Sequence, residues 1–206
     1  MLYEWKEFLS GWSKEIIESK GFAEFLAVDG ADYPGSYTDE VLESGWLGYP
    51  GATEEQINAA EARLGITLPP DYRAFLQVTN GWRYITRFIP RLWSTEEIDW
   101  LRFTDQSGVI NAWAEPHILD TIKMLEDQGE EVPSDFRYLA STLRVSDMET
   151  GGTAILLLNP EVTTPVGEWE GWFHAHWVPG ARVYPSFWEL MQEEHNIFRV
   201  VEDHQR

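Results

Sequence analysis

Two histidines with alternate spacing are the first candidates for chemistry in this sequence. His174 and His176 are separated by one residue, so on a β-strand both imidazoles would lie on the same side. Glu168 and Glu170 are close in sequence, and imidazole with carboxylate is a ligand set that Zn²⁺ accepts. No third ligand stands at a motif spacing, and the His-Glu-x-x-His motif is absent. We therefore favour ordinary strand histidines among tryptophans, and expect no metal and no other cofactor.

Carboxylates offer a second route to catalysis. Glu61 falls on the apolar side of a predicted helix, where burial would raise its pKa and suit it to acid or base chemistry. The same position would also suit a buried carboxylate that accepts hydrogen bonds from the following Pro-Pro loop. The 35 Asp and Glu residues could supply a glycosidase-like pair, but composition alone singles none out. Nucleophilic and phosphoryl chemistry lack support, because the chain has no cysteine, no Gly-x-Ser-x-Gly elbow and no P-loop.

The charge of the chain restricts its partners. There are 15 basic and 35 acidic residues, which give a net charge of −20. Nucleic acids and anionic membranes are bound through clustered Lys and Arg, so we expect neither as a partner. Hydrophobic residues make up 43% and aromatic residues 14% of the chain, a composition that forms a core and argues against disorder. The sequence indicates a folded acidic protein that either repels its neighbours or meets a basic partner.

Length and composition also indicate the organisation and the compartment. A chain of 206 residues is most simply one domain. We expect an N-terminal helix and acidic loop over 1–44, a core over 45–192 and a C-terminal tail over 193–206. The start of the chain alternates apolar and charged residues, which predicts no signal peptide and no membrane span. With no cysteine to form disulfides, the expected location is the cytoplasm.

The stretch from Thr53 to Trp82 has the clearest local signals for structure. Thr53 to Gln56 has the form of a capping box, followed by apolar residues at helical spacing and by Gly65, which would end the helix. Pro70 suits the first turn of a second helix, and Asn80-Gly81 would stop it. This stretch therefore predicts two short helices joined by an extended pair of prolines.

The remaining patterns predict an α+β fold with a mainly antiparallel sheet and helices packed on one side of it. Ala154 to Leu158 is apolar throughout, as in a central strand covered on both faces. Asn159-Pro160 should end that strand. The other expected elements are a helix over 2–20, a loop-like segment over 30–51, a strand over 83–89, a short helix capped by Ser94 or Thr95, a helix from Ile118 to about Gly129, strands over 139–145 and 169–177, and a last helix capped by Ser186.

Two acidic stretches are candidates for binding a basic protein. From Gly21 to Ala62 there is no Lys, Arg or His, and aromatic residues are interleaved with the acids. Such a surface suits an interface with a cationic partner, although the aromatic residues could simply cover the core beneath a solvated loop. A second acidic stretch surrounds Lys123. The candidate contact residues are Asp32, Tyr33, Tyr37, Asp39, Glu40, Glu43, Trp46, Glu126, Asp127, Glu130 and Glu131.

The order of motifs resembles the SMI1/KNR4 family of the SUKH superfamily. The likeness covers roughly residues 45 to 192, beginning with Glu61, Leu64-Gly65 and the run from Leu68 to Arg73. It continues through Asn80-Gly81-Trp82 to the run from Tyr184 to Met191. The resemblance implies an α+β fold and a structural role for Glu61 rather than a catalytic one. The positions expected to be structural are Glu61, Gly65, Leu68, Pro69, Tyr72, Asn80, Gly81 and Trp82.

The resemblance also implies a function. Proteins of this kind are similar to bacterial immunity proteins, which bind and neutralise toxins that are often nucleases. We therefore expect a non-enzymatic binding protein whose partner is a basic toxin domain. One alternative is a regulatory scaffold linked to cell-wall or signalling control, as fungal relatives imply. Another is a hydrolase that uses His174 and His176 or a pair of carboxylates.

Overall fold

A computed structural model describes most of the chain. The described residues are 2–28, 36–105, 108, 116–130, 132, 137–148, 154–178 and 180–203. The sequence also predicts a hairpin turn over 146–152 and a turn at Pro179-Gly180; residues 149–152 and Pro179 lie outside the described ranges. No helix in these ranges is long and apolar enough to cross a membrane.

Helices dominate the first half of the described chain, and one long helix closes it. Two single turns of 3-10 helix, Leu101–Phe103 and Leu139–Ser141, precede strands or follow them. The α-helices are α1 (Leu2–Ile17), α2 (Lys20–Val28), α3 (Asp39–Ser44), α4 (Glu54–Leu64), α5 (Pro70–Val78), α6 (Pro116–Asp127) and α7 (Phe187–Asp203).

One antiparallel sheet of five strands follows the chain order from edge to edge. Residues of β3 alternate between the two faces: Leu156 and Leu158 pack towards α1, α5 and α7, whereas Leu157 packs with Trp172 on the opposite face. The two 3-10 turns help to cover that opposite face. The fold is therefore α+β, as predicted. The strands are β1 (Asp99–Trp100), β2 (Leu143–Arg144), β3 (Ile155–Thr163), β4 (Trp169–His174) and β5 (Ala181–Tyr184).

The core is built around aromatic side chains from three helices. Trp5 of α1 lies 5.4 Å from Phe75 of α5 and 5.7 Å from Phe187 of α7, measured between ring centroids. Helix α7 crosses directly over β4 at Gly171, where an added Cβ would stand 2.9 Å from the Cβ of Leu190. A glycine at this position therefore permits the close approach of helix and sheet.

The two helices predicted between Thr53 and Trp82 are confirmed. The Thr53 hydroxyl accepts the Gln56 amide, and the Gln56 side chain accepts the Thr53 amide at 2.9 Å. Gly65 ends α4 in the left-handed conformation, with φ of 74°. Pro70 stands at the start of α5, and Gly81 has φ of 100° after that helix ends. All of these signals act between neighbouring residues, which is why the sequence reveals them.

The predicted strand over 83–89 and the helix after Ser94 are both wrong. The described chain there forms only isolated bridges, between Trp82 and Leu92 and across a tight turn from Thr86 to Ile89. The Ser94 amide and hydroxyl bind the Glu97 carboxylate as a cap would, at 2.9 and 2.8 Å. After one turn the chain enters β1, because pairing with β2 outweighs continuation of the helix.

Other predicted boundaries also shift. The segment over 139–145 forms a 3-10 turn before β2, and the predicted strand over 169–177 ends at His174. Asn159-Pro160 does not end β3, because the register changes between Asn159 and Thr163 and a proline needs no ladder donor there. The predicted helix over 2–20 ends at Ile17, and a second helix begins at Lys20, with the Ser19 hydroxyl accepting the Phe22 amide at 3.1 Å. The expected loop over 30–51 contains α3.

Candidate functional site

Helix α3 presents an acidic surface, which we define as Asp39, Glu40 and Glu43 and call the α3 surface. The Thr38 hydroxyl accepts the Val41 amide at 3.4 Å and begins the helix, and Gly45 ends it with φ of 68°. Asp39 and Glu40 lie in the first turn, where the helix dipole favours negative charge. All three acids are exposed, and none forms an ion pair with any residue in the described part of the chain.

The aromatic residues on either side of α3 cover the core with part of each ring. The Tyr37 hydroxyl donates to the Arg83 carbonyl at 3.2 Å, and its ring lies 5.5 Å from Phe22. Trp46 stands perpendicular to the buried Trp82 at 5.2 Å. Both side chains are half-buried, so each leaves an edge at the surface beside the exposed acids. Tyr37 and Trp46 can therefore cover the core and still be available for contact with a partner.

Helix α6 and the turn after it carry the second acidic group, which we call the α6 surface: Asp120, Glu126, Asp127 and Glu130. All four side chains are exposed. Lys123 is the one basic residue on α6, and Glu126 lies 3.2 Å from the exposed Arg137. Exposed ion pairs of this kind contribute little energy. The four acids outnumber these two basic residues, so the surface stays anionic. The candidate contact residues Asp32, Tyr33 and Glu131 lie outside the described residues.

Several arginines are bound to carboxylates of the chain itself. The Arg91 guanidinium contacts Asp147 and Glu97, each at 2.8 Å. Hydrogen bonds from Arg199 lower the pKa of Glu15 to about 2. Arg73 binds Glu54 at 2.7 Å and also Glu61, and Arg144 pairs with Asp105.

Arg83, Arg87 and Arg91, which are close together in sequence, lie in different environments in the fold. Arg83 is buried, donates to backbone carbonyls of Leu47 and Gly48, and lies 3.8 Å from the centre of the Tyr49 ring. Arg91 is engaged with its two carboxylates, while Arg87 is exposed. Arg83 and Arg91 are therefore held by groups of the fold, and Arg87 is the exposed member of the three.

Glu61 holds the loop between α4 and α5. Its carboxylate accepts the Leu68 amide at 2.8 Å and pairs with Arg73 at 2.5 Å, and the side chain is only 14% exposed. The Asn80 side chain accepts the Thr95 amide at 2.8 Å, which ties the end of α5 to the next segment. The resemblance assigned structural roles to these positions, and the contacts seen at Glu61 and Asn80 are of that kind.

The two histidines do not share a strand. His174 is the last residue of β4 and is buried, whereas His176 lies beyond the strand end and is exposed. Across the described ranges, no group of three or more His, Asp or Glu side chains is arranged to hold a metal ion. The metal hypothesis required both histidines to lie on the same side of one strand. Because β4 ends at His174, strand geometry does not place His176 on that side.

A groove that sequence reasoning missed lies where α5 and α7 begin. We call it the Trp188 groove; its volume is about 490 Å³. The Glu168 carboxylate accepts the Asp71 amide at 3.1 Å and so caps α5, while the Ser186 hydroxyl donates to Glu189 at 2.6 Å. The Ser186-x-x-Glu189 pattern is a visible signal, but Asp71 and Glu168 are 97 residues apart. The residues that define the groove are Pro70, Asp71, Val166, Glu168, Trp188 and Glu189.

Burial alters the protonation of this groove. It raises the pKa of Glu168 to about 7, against the Asp71 amide, which lowers it. Burial also raises the pKa of Asp71, although an interaction with Ser186 opposes the change. Both effects show that the carboxyls lack a cationic neighbour strong enough to offset the loss of water.

The sequence model of the SMI1/KNR4 family (SUKH-1) matches residues 51–193. The matched region runs from the residues before α4 into the first turns of α7, and it includes α6 and the Trp188 groove. The α3 surface lies outside it. No curated protein matches the chain. Since the match covers well over half of the sequence, the chain belongs to the SMI1/KNR4 family (SUKH-1).

Proposed function

We propose that this protein is a non-enzymatic binding module, and specifically an immunity protein that binds and neutralises a basic toxin domain of the nuclease type. Membership of the SMI1/KNR4 family supports an immunity-protein or SMI1-type role, and the family is generally non-catalytic. The proposal goes further by naming the chemistry of the partner, a protein with a cationic surface.

The unpaired carboxylates of the α3 surface are the observation that carries the proposal. Asp39, Glu40 and Glu43 are exposed, and no Lys, Arg or His occurs between Gly21 and Ala62. A nuclease needs a cationic surface to hold phosphate. An acidic partner would be steered to that surface by long-range attraction and would then cover it, which prevents the toxin from binding its substrate.

The proposed contacts come from two places. The α3 surface supplies three unpaired acids, with the exposed edges of Tyr37 and Trp46 beside them. The α6 surface supplies four more exposed acids, including Glu126 and Glu130. Aromatic edges among charges are common at the centres of protein interfaces, because they bury apolar area while the charges select the partner.

The test is neutralisation of a basic toxin domain encoded beside this gene. We expect growth to be restored when both proteins are produced together, and we expect less protection from the triple variant Asp39→Asn, Glu40→Gln, Glu43→Gln. The matched control is Glu7→Gln, Glu18→Gln, Glu161→Gln, which removes the same charge from exposed positions elsewhere. Failure to protect against any such toxin would contradict the proposal. A complex with signalling enzymes would favour the regulatory scaffold instead.

A further inference from the structure

The Trp188 groove has mainly apolar walls. Pro70 begins α5, and Trp188 lies in the first turn of α7, where its half-buried indole rests on Trp5 at 4.6 Å between ring centroids. Val166 also lines the groove and is 76% exposed. An occupant could therefore bury apolar surface here without moving the core.

The floor of the groove is anionic. Asp71, Glu168 and Glu189 converge there, and in the described ranges none of them forms an ion pair with a basic side chain. Glu168 accepts one backbone amide, and the Glu189 carboxylate accepts one hydrogen bond from the Ser186 hydroxyl, so both keep free acceptor capacity. Burial raises the pKa values of Asp71 and Glu168, because the loss of water outweighs the interactions that stabilise their charged forms.

A second hollow in the molecule is apolar too, but its acidic side chain has a basic neighbour. The hollow of about 240 Å³ between α2 and the end of α7 is also apolar. Its one acid, Glu24, lies 3.9 Å from the Lys20 ammonium and so already has a basic neighbour. The Trp188 groove, by contrast, combines apolar walls with carboxylates that form no ion pair with a basic side chain of the described ranges.

We propose that the Trp188 groove receives one arginine side chain of the basic partner, an inference that rests on the proposed function. An arginine has a planar guanidinium that binds carboxylates through two parallel hydrogen bonds and stacks on indole rings. Its three methylenes would lie along Val166 and Pro185. A lysine would supply only a point charge and would lose the stacking.

This assignment separates two contributions to binding. The α3 and α6 surfaces are exposed and act over distance, so they raise the association rate and its dependence on salt. A side chain held in a recessed groove acts after contact, so it slows dissociation. Loss of the groove contact should therefore raise the dissociation rate at least tenfold and leave the association rate within about twofold.

The first experiment needs no toxin. The full chain, labelled with ¹⁵N, is titrated with N-acetyl-arginine amide, and separately with N-acetyl-citrulline amide, which has the same shape but no charge. We expect saturable shifts with arginine, confined to the Trp188 indole and the amides of Asp71 and Val166, with a Kd on the order of millimolar. Citrulline should cause none. Equal shifts with citrulline, or shifts spread over the α3 and α6 surfaces, would overturn the assignment.

The second experiment uses a pair of matched variants. Val166→Arg places a cation of the chain's own in the groove, and Val28→Arg places the same side chain at a site that is equally exposed, at 76%. Neither change removes a core contact. We expect Val166→Arg to abolish the arginine shifts and to raise the dissociation rate of the toxin complex at least tenfold, while Val28→Arg changes neither.

The outcomes distinguish this inference from the function on which it rests. If the toxin binds and Val166→Arg dissociates as slowly as Val28→Arg, the groove assignment is wrong and the immunity function stands. If no basic toxin binds but arginine amide still occupies the groove, the proposed function fails while the ligand class of the groove is supported. If no basic toxin binds and arginine amide does not occupy the groove, both proposals are wrong.

Discussion

Glu194 is a buried acidic side chain with an oxygen that the described residues leave unsatisfied. It lies on α7 and is 1% exposed, and one of its oxygens has no hydrogen-bond partner within the described residues. Burial raises its pKa to about 8, an effect that Arg182 opposes and Glu193 adds to. The Tyr184 hydroxyl is the other titratable group nearby, and its pKa is also raised by burial. At neutral pH the Glu194 carboxyl is therefore protonated in the folded protein.

Glu194→Gln should stabilise the protein at high pH. The folded state keeps a proton on Glu194 that the unfolded chain loses near pH 4.5, so the wild-type free energy of unfolding falls as pH rises from about 4.5 to about 8. Glutamine cannot ionise and removes this loss. We expect the variant to gain a few kcal/mol relative to wild type between pH 5 and about pH 8. Urea unfolding at both pH values measures the gain, and a difference independent of pH would contradict the assignment.

Substitutions of Glu61 test whether its buried carboxylate has a structural role. Glu61→Ala leaves the Leu68 amide without its acceptor, which should lower the free energy of unfolding by about 2 kcal/mol. Glu61→Gln keeps an acceptor oxygen and should lose about half as much. Urea unfolding compares both with Asn58→Ala, an exposed change on the same helix. Equal losses for Gln and Ala would show that the pair with Arg73, rather than the bond to Leu68, holds the loop.

At the scale of elements, two glycines should respond in opposite ways to alanine. A Cβ at Gly171 would stand 2.9 Å from the Ser186 carbonyl and 2.9 Å from the Leu190 Cβ, so α7 would have to move off β4. We expect Gly171→Ala to cost about 1–3 kcal/mol. Gly11 lies within α1 with nothing near its would-be Cβ, so Gly11→Ala should stabilise by about 0.5–1 kcal/mol. Thermal unfolding measures both, and equal effects would contradict the packing of α7 on the sheet.

The elements that the sequence predicts well are those defined by neighbours. The capping box at Thr53, the glycine at Gly65 and the apolar run of β3 each act within a few residues, and all appear as expected. The failure at 83–89 has a different cause. The chain there turns at Thr86 and bridges back to Ile89. The flanking Trp82 and Leu92 bridge Gly48 and Ser146, and no local pattern records those distant partners.

For the candidate site, too, the sequence predicts what depends on composition or on neighbouring residues, and misses what depends on distant contacts. Composition predicts an acidic surface, and the absence of Lys, Arg and His from Gly21 to Ala62 indicates a place for it in the chain. The sequence does not reveal that Arg73, Arg91 and Arg144 are consumed by internal ion pairs, because their partners come from distant segments. Nor does it reveal the Trp188 groove, whose Asp71 and Glu168 meet across 97 residues. Both features depend on how helices and strands are brought together.

At the scale of the whole molecule, acidic residues outnumber basic ones by 35 to 15. Arginines such as Arg91 lie among the carboxylates of the fold, while the α3 and α6 surfaces keep their acids exposed. With a net charge of −20, the molecule should attract a cationic protein over distances comparable to the Debye length, about 10 Å at 0.1 M salt. Electrostatic attraction of this kind is weakened by salt.

The most direct test is the association rate with the basic toxin domain, measured by stopped flow from about 0.05 to about 0.5 M salt. The account predicts at least a tenfold fall across this range for the wild type. It also predicts that neutralising the α3 surface slows low-salt association several-fold more than the matched triple Glu7→Gln, Glu18→Gln, Glu161→Gln. A rate that does not depend on salt, or equal slowing by both triple variants, would contradict electrostatic capture by the α3 surface.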